Sequence, residues 1–326
     1  MIQPTIGRID SHAHVFTLDL PMVAGRRYTP AQNAPLSAYL AHLDALGCTH
    51  GVLIQPSFLG SDNSFMLQAI AQAAPRLRGV ACVTPDISLP ELEALDRSGI
   101  VGIRLNVIDG TQPDLNTAAW QDLLEKIKSL CWHVEVHCRS NKLSSILVPL
   151  LRKQINVVID HFGRPSDCNH SRDYGFQQLL EWGHSGLVWC KISAVYRICA
   201  HADEGHKFLA DTVPKLVENL GRERLMWGSD WPHTQYEQQI NPEYLTTQLN
   251  ILLQDETLAQ AVLWDTPAKF FKFVLNQIQI DTTSFMLNTF LVAMLAKISV
   301  LLCCSNPLSF RPILQTSGDK FPSFGT

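Results

Sequence analysis

The sequence predicts an α/β protein, a single (β/α)8 TIM barrel with an extra C-terminal tail, on three observations. Eight short apolar runs alternate with helical stretches along the chain. The runs are continuously apolar between helices, as expected of parallel strands buried on both faces. The size usual for such a barrel, about 250 residues, fits residues 1–275 of the 326 present. A doubly wound open sheet is the competing architecture. It would place a glycine-rich phosphate turn after the first strand, where this chain has His12-Ala13-His14.

The first run, Ile6 to Ile9, is a buried strand leading into Asp10-Ser11-His12-Ala13-His14. Residues i and i+2 of a strand point to the same side. His12 and His14 therefore aim two imidazoles at one point just past the strand end, where they can grip a metal or surround a polarised carbonyl. A polar loop with Arg26-Arg27-Tyr28-Thr29-Pro30 follows, then a helix from Leu36 to Leu46 stopped by Gly47. The second run is His50 to Gln55, followed by a loop with Gly60 and a helix from Ser61 to Ala74. The third, Arg78 to Val83, is followed by a helix from Leu89 to Arg97. Ile100 to Leu105 is the fourth, with its helix from Thr117 to Leu130. Trp132 to His137 and the helix Leu143 to Arg152 form the fifth unit. Asn156 to Asp160 and the helix Tyr174 to Trp182 form the sixth. Leu187 to Ile192 is the seventh run, before a long helical stretch to Leu220. Arg224 to Gly228 is the eighth, ending in Ser229-Asp230-Trp231-Pro232-His233.

Residues 276–326 form a tail of a different kind. Ser284 to Cys304 is strongly apolar, broken by Asn288, Thr289 and Lys297. It approaches the ~20 residues that span a bilayer, but a mid-span lysine is costly. A helix packed on the barrel or a non-native extension is the preferred reading, a membrane anchor the lesser one, and truncation after Leu275 is expected to leave an active protein. Ser305 to Thr326, rich in Ser, Pro and Gly, reads as flexible.

Apolar residues at 46% and charged residues at 17% allow a sizeable core and exclude global disorder. The net charge of −4, with no basic run or basic-aromatic patch, gives no sign of nucleic-acid binding. The nine cysteines include no CxxC pair, so zinc-ribbon and thioredoxin readings fail. Most lie in apolar runs and read as reduced core residues of an intracellular, cytoplasmic protein. No signal peptide is expected from Met1-Ile2-Gln3-Pro4.

Active sites of such barrels lie at the C-terminal ends of the strands. Those ends carry His12 and His14, Gln55 and Ser57, Arg104 and Asn106, His137, His161 with Arg164, then Ser193, Tyr196 and Arg197, and finally Asp230 with His233. One arginine alone is usually a surface charge, and one histidine a satisfied polar residue. Polar groups at almost every strand end of one rim make an active-site hypothesis.

The residues carry a resemblance as well. IDSHAHVF (Ile9 to Phe16), VVIDHFGRP (Val157 to Pro165) and LMWGSDWPH (Leu225 to His233) resemble the amidohydrolase superfamily, and within it the 2-pyrone-4,6-dicarboxylate hydrolase group of lactonases. RRYTP (Arg26 to Pro30), the segment Gln55 to Asn63, GIRLNV (Gly102 to Val107) and Asp265-Thr266-Pro267 match too, so the resemblance covers nearly all of residues 5–273 but not the tail. It implies a barrel hydrolase acting on a small anionic lactone. It further implies that Asp230 activates water and that His12, His14 and His161 surround the scissile carbonyl. Arg104 and Arg197 would bind substrate carboxylates, with Arg164, Tyr28, Ser57 and His137 also on the substrate. A guanidinium fork suits a carboxylate, a carboxylate poised on water is a general base, and donors at the oxyanion position are a large catalytic term.

One departure concerns the substrate. The group places a further basic residue shortly after the fourth-strand arginine, where this chain has Val107-Ile108-Asp109-Gly110-Thr111. Fewer or differently placed substrate carboxylates are expected. A zinc or manganese ion is the open alternative: His12, His14, His137, His161 and Asp230 could supply ligands. No bridging Lys or Glu ends the fourth strand, and guanidinium groups nearby would repel a cation, so no cofactor is favoured. Two other functions stay open at this point, a metal-dependent amidohydrolase or decarboxylase on the same barrel and a non-catalytic carboxylate-binding barrel.

Overall fold

The computed structural model describes residues 7–273, apart from residues 109, 170, 171 and 253. Eight strands, β1 (Ile9–Ala13), β2 (His50–Ile54), β3 (Leu77–Ala81), β4 (Ile100–Asn106), β5 (His133–His137), β6 (Val157–Ile159), β7 (Val188–Ser193) and β8 (Leu225–Gly228), pair in sequential order. Every pairing is parallel. Between them run α1 (Leu36–Ala45), α2 (Ser64–Gln72), α3 (Leu89–Arg97), α4 (Ala118–Ser129), α5 (Leu143–Arg152), α6 (Tyr174–Gly183) and α7 (Ala202–Leu220). After β8 come α8 (Pro242–Leu252), α9 (Glu256–Gln260), a π-helical turn and α10 (Thr266–Phe270). Helix starts follow local chemistry. Ser88 and Glu91 form a capping box on α3, and the Asp173 carboxylate accepts from the Phe176 N–H at the start of α6.

β5 shows how one sequence serves two environments. Val134 and Val136 join the core between sheet and helices, while Glu135 and His137, on the opposite face, point into the barrel. Ile9, Val52, Ile54, Val80, Val101, Val158 and Met226 form a second apolar cluster with Phe271 and Phe273. A charged layer within the barrel carries His12, Glu135, Asp160 and Lys191. Strand ends differ from the sequence expectation by one or two residues. The largest correction is in β1, which contains His12 instead of ending at Ile9, because the Asp10 and His12 side chains meet polar groups of other elements inside the barrel.

The barrel closes beside the residues of interest. The His14 N–H donates to the Trp231 carbonyl at 2.8 Å, and the Asp230 N–H to the His12 carbonyl at 2.9 Å. Close approach requires glycine at 228, where a Cβ would stand 2.6 Å from His12 Cβ and 2.9 Å from its backbone nitrogen. Buried Asp10 ties the seam. Its carboxylate accepts from the Ser229 N–H at 2.7 Å, the Ser229 hydroxyl at 2.6 Å, the His12 N–H at 3.2 Å and the Tyr39 hydroxyl at 3.2 Å. Asp10→Ala orphans these donors, each worth about 1–3 kcal/mol when buried and unpaired. A clear drop in the urea midpoint is the expected result, and an unchanged midpoint would show that the seam does not depend on Asp10.

Cys48, Cys138 and Cys190 are free and buried, as expected. Cys168 and Cys199 are the correction. They form a disulfide with Cα atoms 5.3 Å apart, because they lie in the segments that follow β6 and β7 rather than in apolar strands. No helix among the described residues is long and apolar enough to cross a membrane. The expected tail lies outside the described residues, as does Asp109 of the departure noted above.

Candidate active site

The centre of the site is one carboxylate oxygen. Asp230, directly after β8, presents Oδ1 to three imidazoles: His12 Nε2 at 3.7 Å, His161 Nε2 at 3.8 Å and His14 Nε2 at 3.9 Å. That oxygen has no hydrogen-bond partner among the described residues. Its other oxygen, Oδ2, accepts from the Tyr196 hydroxyl at 2.5 Å and from Arg197 Nε at 2.6 Å. Burial by itself would raise the carboxyl, but the Arg197 guanidinium and the imidazoles hold it well below the usual carboxylate range. Asp230 is thus ionised, with one oxygen tied down and the other available.

The backbone reaches this arrangement through conformations uncommon for side-chain-bearing residues. Asp230 has φ +61°, and His161, Phe162 and Arg164 have φ +53°, +57° and +50°. Such clusters of left-handed residues concentrate at functional sites. The turn is held by the Gly163 N–H on the Asp160 carbonyl at 3.0 Å, the Arg164 N–H on the His161 carbonyl at 2.9 Å and the Ser140 N–H on the Arg164 carbonyl at 3.1 Å.

Burial pushes all four rim histidines below the usual imidazole range, His12 to about 4 and His14, His137 and His161 well below it, so the rings are neutral near pH 7. Their hydrogen bonds set what each presents. His14 Nδ1 lies 2.7 Å from the Ile54 carbonyl, which can only accept, so Nδ1 carries the proton and Nε2 a lone pair. His161 Nδ1 lies 2.7 Å from Ser193 Oγ, a partner able to play either role. His137 has no partner on either nitrogen among the described residues and packs edge-on against His161.

A cavity of about 410 Å³, its open mouth included, lies above Asp230. Of the residues the sequence points to, His14, Tyr28, Ser57, Arg104, Asn106, His137, His161, Arg197 and Asp230 line it. His12 lies on its floor side, touching Asp230. Arg164 is outside the lining and half-buried, its guanidinium pushed down to about 10 by burial and by neighbouring Arg197. His233 is also outside the lining, packed against Tyr196 and His42. The two arginines expected to clamp substrate are partly engaged already. Arg197 holds Asp230 and the Thr234 carbonyl, and Arg104 donates to Asp160 at 3.2 Å and to the Gln55 carbonyl at 3.3 Å. Tyr28 donates to Glu237. Arg27 and Thr234 line the cavity without having been singled out.

Beneath the floor lies a buried ionic group that the sequence reading missed. Glu135 and Lys191 form an ion pair inside the barrel, and both approach His12 Nδ1. The available signal was a charged residue in the middle of each strand, HVEVH and VWCKIS. Two sets of donors could hold a metal ion, His12 with His14 and Asp230, and His12 with Asp160 and His161, the atoms of each lying within 4.8 Å of one another.

A family model described as amidohydrolase matches residues 9–273. The 4-sulfomuconolactone hydrolase of Hydrogenophaga intermedia is 30% identical over 274 residues, 81% of this chain and 88% of its own. A solved structure from Pseudomonas putida, assigned as a 2-pyrone-4,6-dicarboxylic acid hydrolase, is 41% identical with a TM-score of 0.77, covering 82% of this chain and 98% of its own. A similarly assigned structure from Acinetobacter baumannii, with citric acid bound, is 36% identical with a TM-score of 0.77, covering 82% and 100%.

Proposed function

The chain belongs to the amidohydrolase family, and from that premise we propose that it is a hydrolase that opens a small lactone bearing anionic groups. One observation carries the reading: an ionised carboxylate with a single unpartnered oxygen, ringed by three neutral imidazoles at the base of a cavity that three arginines line. Relatives named as 4-sulfomuconolactone hydrolase and 2-pyrone-4,6-dicarboxylate hydrolase support the substrate class. The rim bears on the choice of lactone, since buried Val107 and Ile108 follow Arg104 in the stretch where the resembled group has a further basic residue. An anionic group placed to meet Arg104 or Arg197 suits this rim better than one placed to meet that missing residue.

In this reading water sits on Asp230 Oδ1. As its oxygen bonds to the lactone carbonyl carbon, its proton passes to Asp230. The carbonyl oxygen becomes an oxyanion, met by His12 and His161. Collapse restores the carbonyl and breaks the ring C–O bond, and the proton moves from Asp230 to the leaving ring oxygen. The low proton affinity that Arg197 imposes favours this return. Arg27, Arg104 and Arg197 attract the anionic groups from the cavity wall, Arg164 adds charge from outside the lining, and Tyr28, Ser57 and His137 shape the pocket.

A divalent metal is the second reading, favoured by the convergence of His12, His14, His161 and Asp230. There it would polarise the carbonyl and supply bound hydroxide. His14 presents a lone pair and fits. His12 Nδ1 lies between the Lys191 amine and the Asp160 carboxylate, so its fit depends on which of them it pairs with, and no step above uses a metal. The purified protein should be screened against pyrone dicarboxylates, muconolactones and sugar lactones, with and without chelator. Hydrolysis confined to anionic lactones and insensitive to chelator is expected. Absence of turnover on every lactone would overturn the reading, and loss with chelator that zinc or manganese restores would replace it with the metal-dependent one.

A further inference from the structure

Lys191 on β7 and Glu135 on β5 are fully buried inside the barrel and take no part in the hydrolysis described above. Burying two charges is costly even when they are paired, so their position beneath His12 calls for a reason. Lys191 Nζ donates to Glu135 and lies 3.1 Å from His12 Nδ1, in hydrogen-bonding geometry. Two carboxylate oxygens are almost as near, Asp160 Oδ1 at 3.3 Å and Glu135 Oε1 at 3.5 Å. Of the three groups only the amine meets the ring nitrogen in close, well-aligned hydrogen-bonding geometry, while Asp160, a little farther away, competes with it as an acceptor. The amine is thus the nearest of the groups that meet Nδ1.

The chemistry of the partners is asymmetric. An amine bearing protons donates to Nδ1, whereas a carboxylate can only accept from it. A neutral imidazole with Nδ1 accepting must carry its proton on Nε2. His12 Nε2 is buried, has no partner, and faces Asp230 Oδ1 at 3.7 Å. A histidine that ligates a metal through Nε2 does the reverse, donating Nδ1–H to a carboxylate or carbonyl, as His14 is placed to do on Ile54. We propose that Lys191, held by Glu135, is a positioning residue that fixes His12 as the Nε2–H tautomer, which makes His12 an oxyanion donor and withholds it from metal ligation. Asp160 stands ready as an acceptor, so removing the lysine turns the same ring into a ligand. The oxyanion half of this inference rests on the hydrolase reading. The tautomer and metal half does not.

The test uses the full-length protein with 15N-labelled histidine, His12 being assigned by the signal lost in His12→Gln. In the wild type His12 should show a protonated Nε2 and an unprotonated Nδ1. The double variant Lys191→Met with Glu135→Leu removes both charges at similar volume and avoids a lone buried carboxylate. It should move the proton to Nδ1 and bind zinc about 10–100-fold more tightly, the usual scale for partners of a ligating histidine. A protonated Nδ1 in the wild type would overturn the proposal, and that spectrum decides the matter if the double variant does not fold. A double variant that keeps the wild-type tautomer would overturn the role of Lys191. A proton that moves without tighter zinc binding would overturn the exclusion of metal. Failure of the hydrolase reading would appear as wild-type protein inactive on every lactone with the His12 signals as predicted, so the two failures are distinguishable.

Discussion

Asp230→Asn is expected to leave the barrel folded and to lower lactone hydrolysis by about 10²–10⁴-fold, the range that general acid–base catalysis supplies. The amide is nearly isosteric with the carboxylate. Its oxygen can accept from Tyr196 and Arg197 as Oδ2 does, which leaves the amide nitrogen where Oδ1 faced the three imidazoles. His14 Nε2, with its lone pair, can accept from that nitrogen. Substrate should still bind, since the arginines and histidines of the rim remain, and calorimetric titration of the variant can measure it. The amide cannot take a proton from water. Lactone synthesis passes through the same transition state and should fall by the same factor. Turnover of a verified substrate near the wild-type rate would remove Asp230 as the base.

Arg197→Met should change both stability and the pH profile. It breaks a buried ion pair, for which the usual loss is about 3–5 kcal/mol, readable as a lower urea midpoint. The sign of the pH effect follows from the direction of the Asp230 shift. In the wild type the carboxyl is held well below its usual range. The stability it contributes is therefore present above the unfolded value of about 3.9 and is lost only as pH falls through the lower folded value. Activity should likewise persist into acid until unfolding intervenes. Without Arg197, burial acts with less opposition and raises the carboxyl. The acid limb of kcat/KM should move to higher pH, and the contribution of Asp230 to stability should now decline as pH rises. Urea midpoints at pH 5 and pH 8 read the second effect. An acid limb at the wild-type position would show that Arg197 does not set the charge of Asp230. Arg104→Met has a related but mixed outcome, because Arg104 both lines the cavity and pairs with buried Asp160. A raised KM for an anionic lactone should come with a loss of stability.

The periodic part of the molecule was legible in the chain. Apolar runs between helical stretches marked seven of the eight strands to within a residue or two and the first only in part, because strand burial and helix starts depend largely on near neighbours. HxH, DHFGR and GSDWPH likewise marked the groups that gather at the rim, since strand ends of a parallel barrel share one face. What the tertiary structure alone decided is which group holds which. Arg197 and Asp230 are 33 residues apart, Arg104 and Asp160 are 56 apart, and Lys191 and His12 are 179 apart. Such contacts exist only after closure brings β1 against β8 and stacks a charged layer inside the barrel. The charge state of Asp230 and the proton position on His12 are therefore properties of the closed barrel. A sequence names the titratable groups, but their protonation depends on burial and on partners from distant strands.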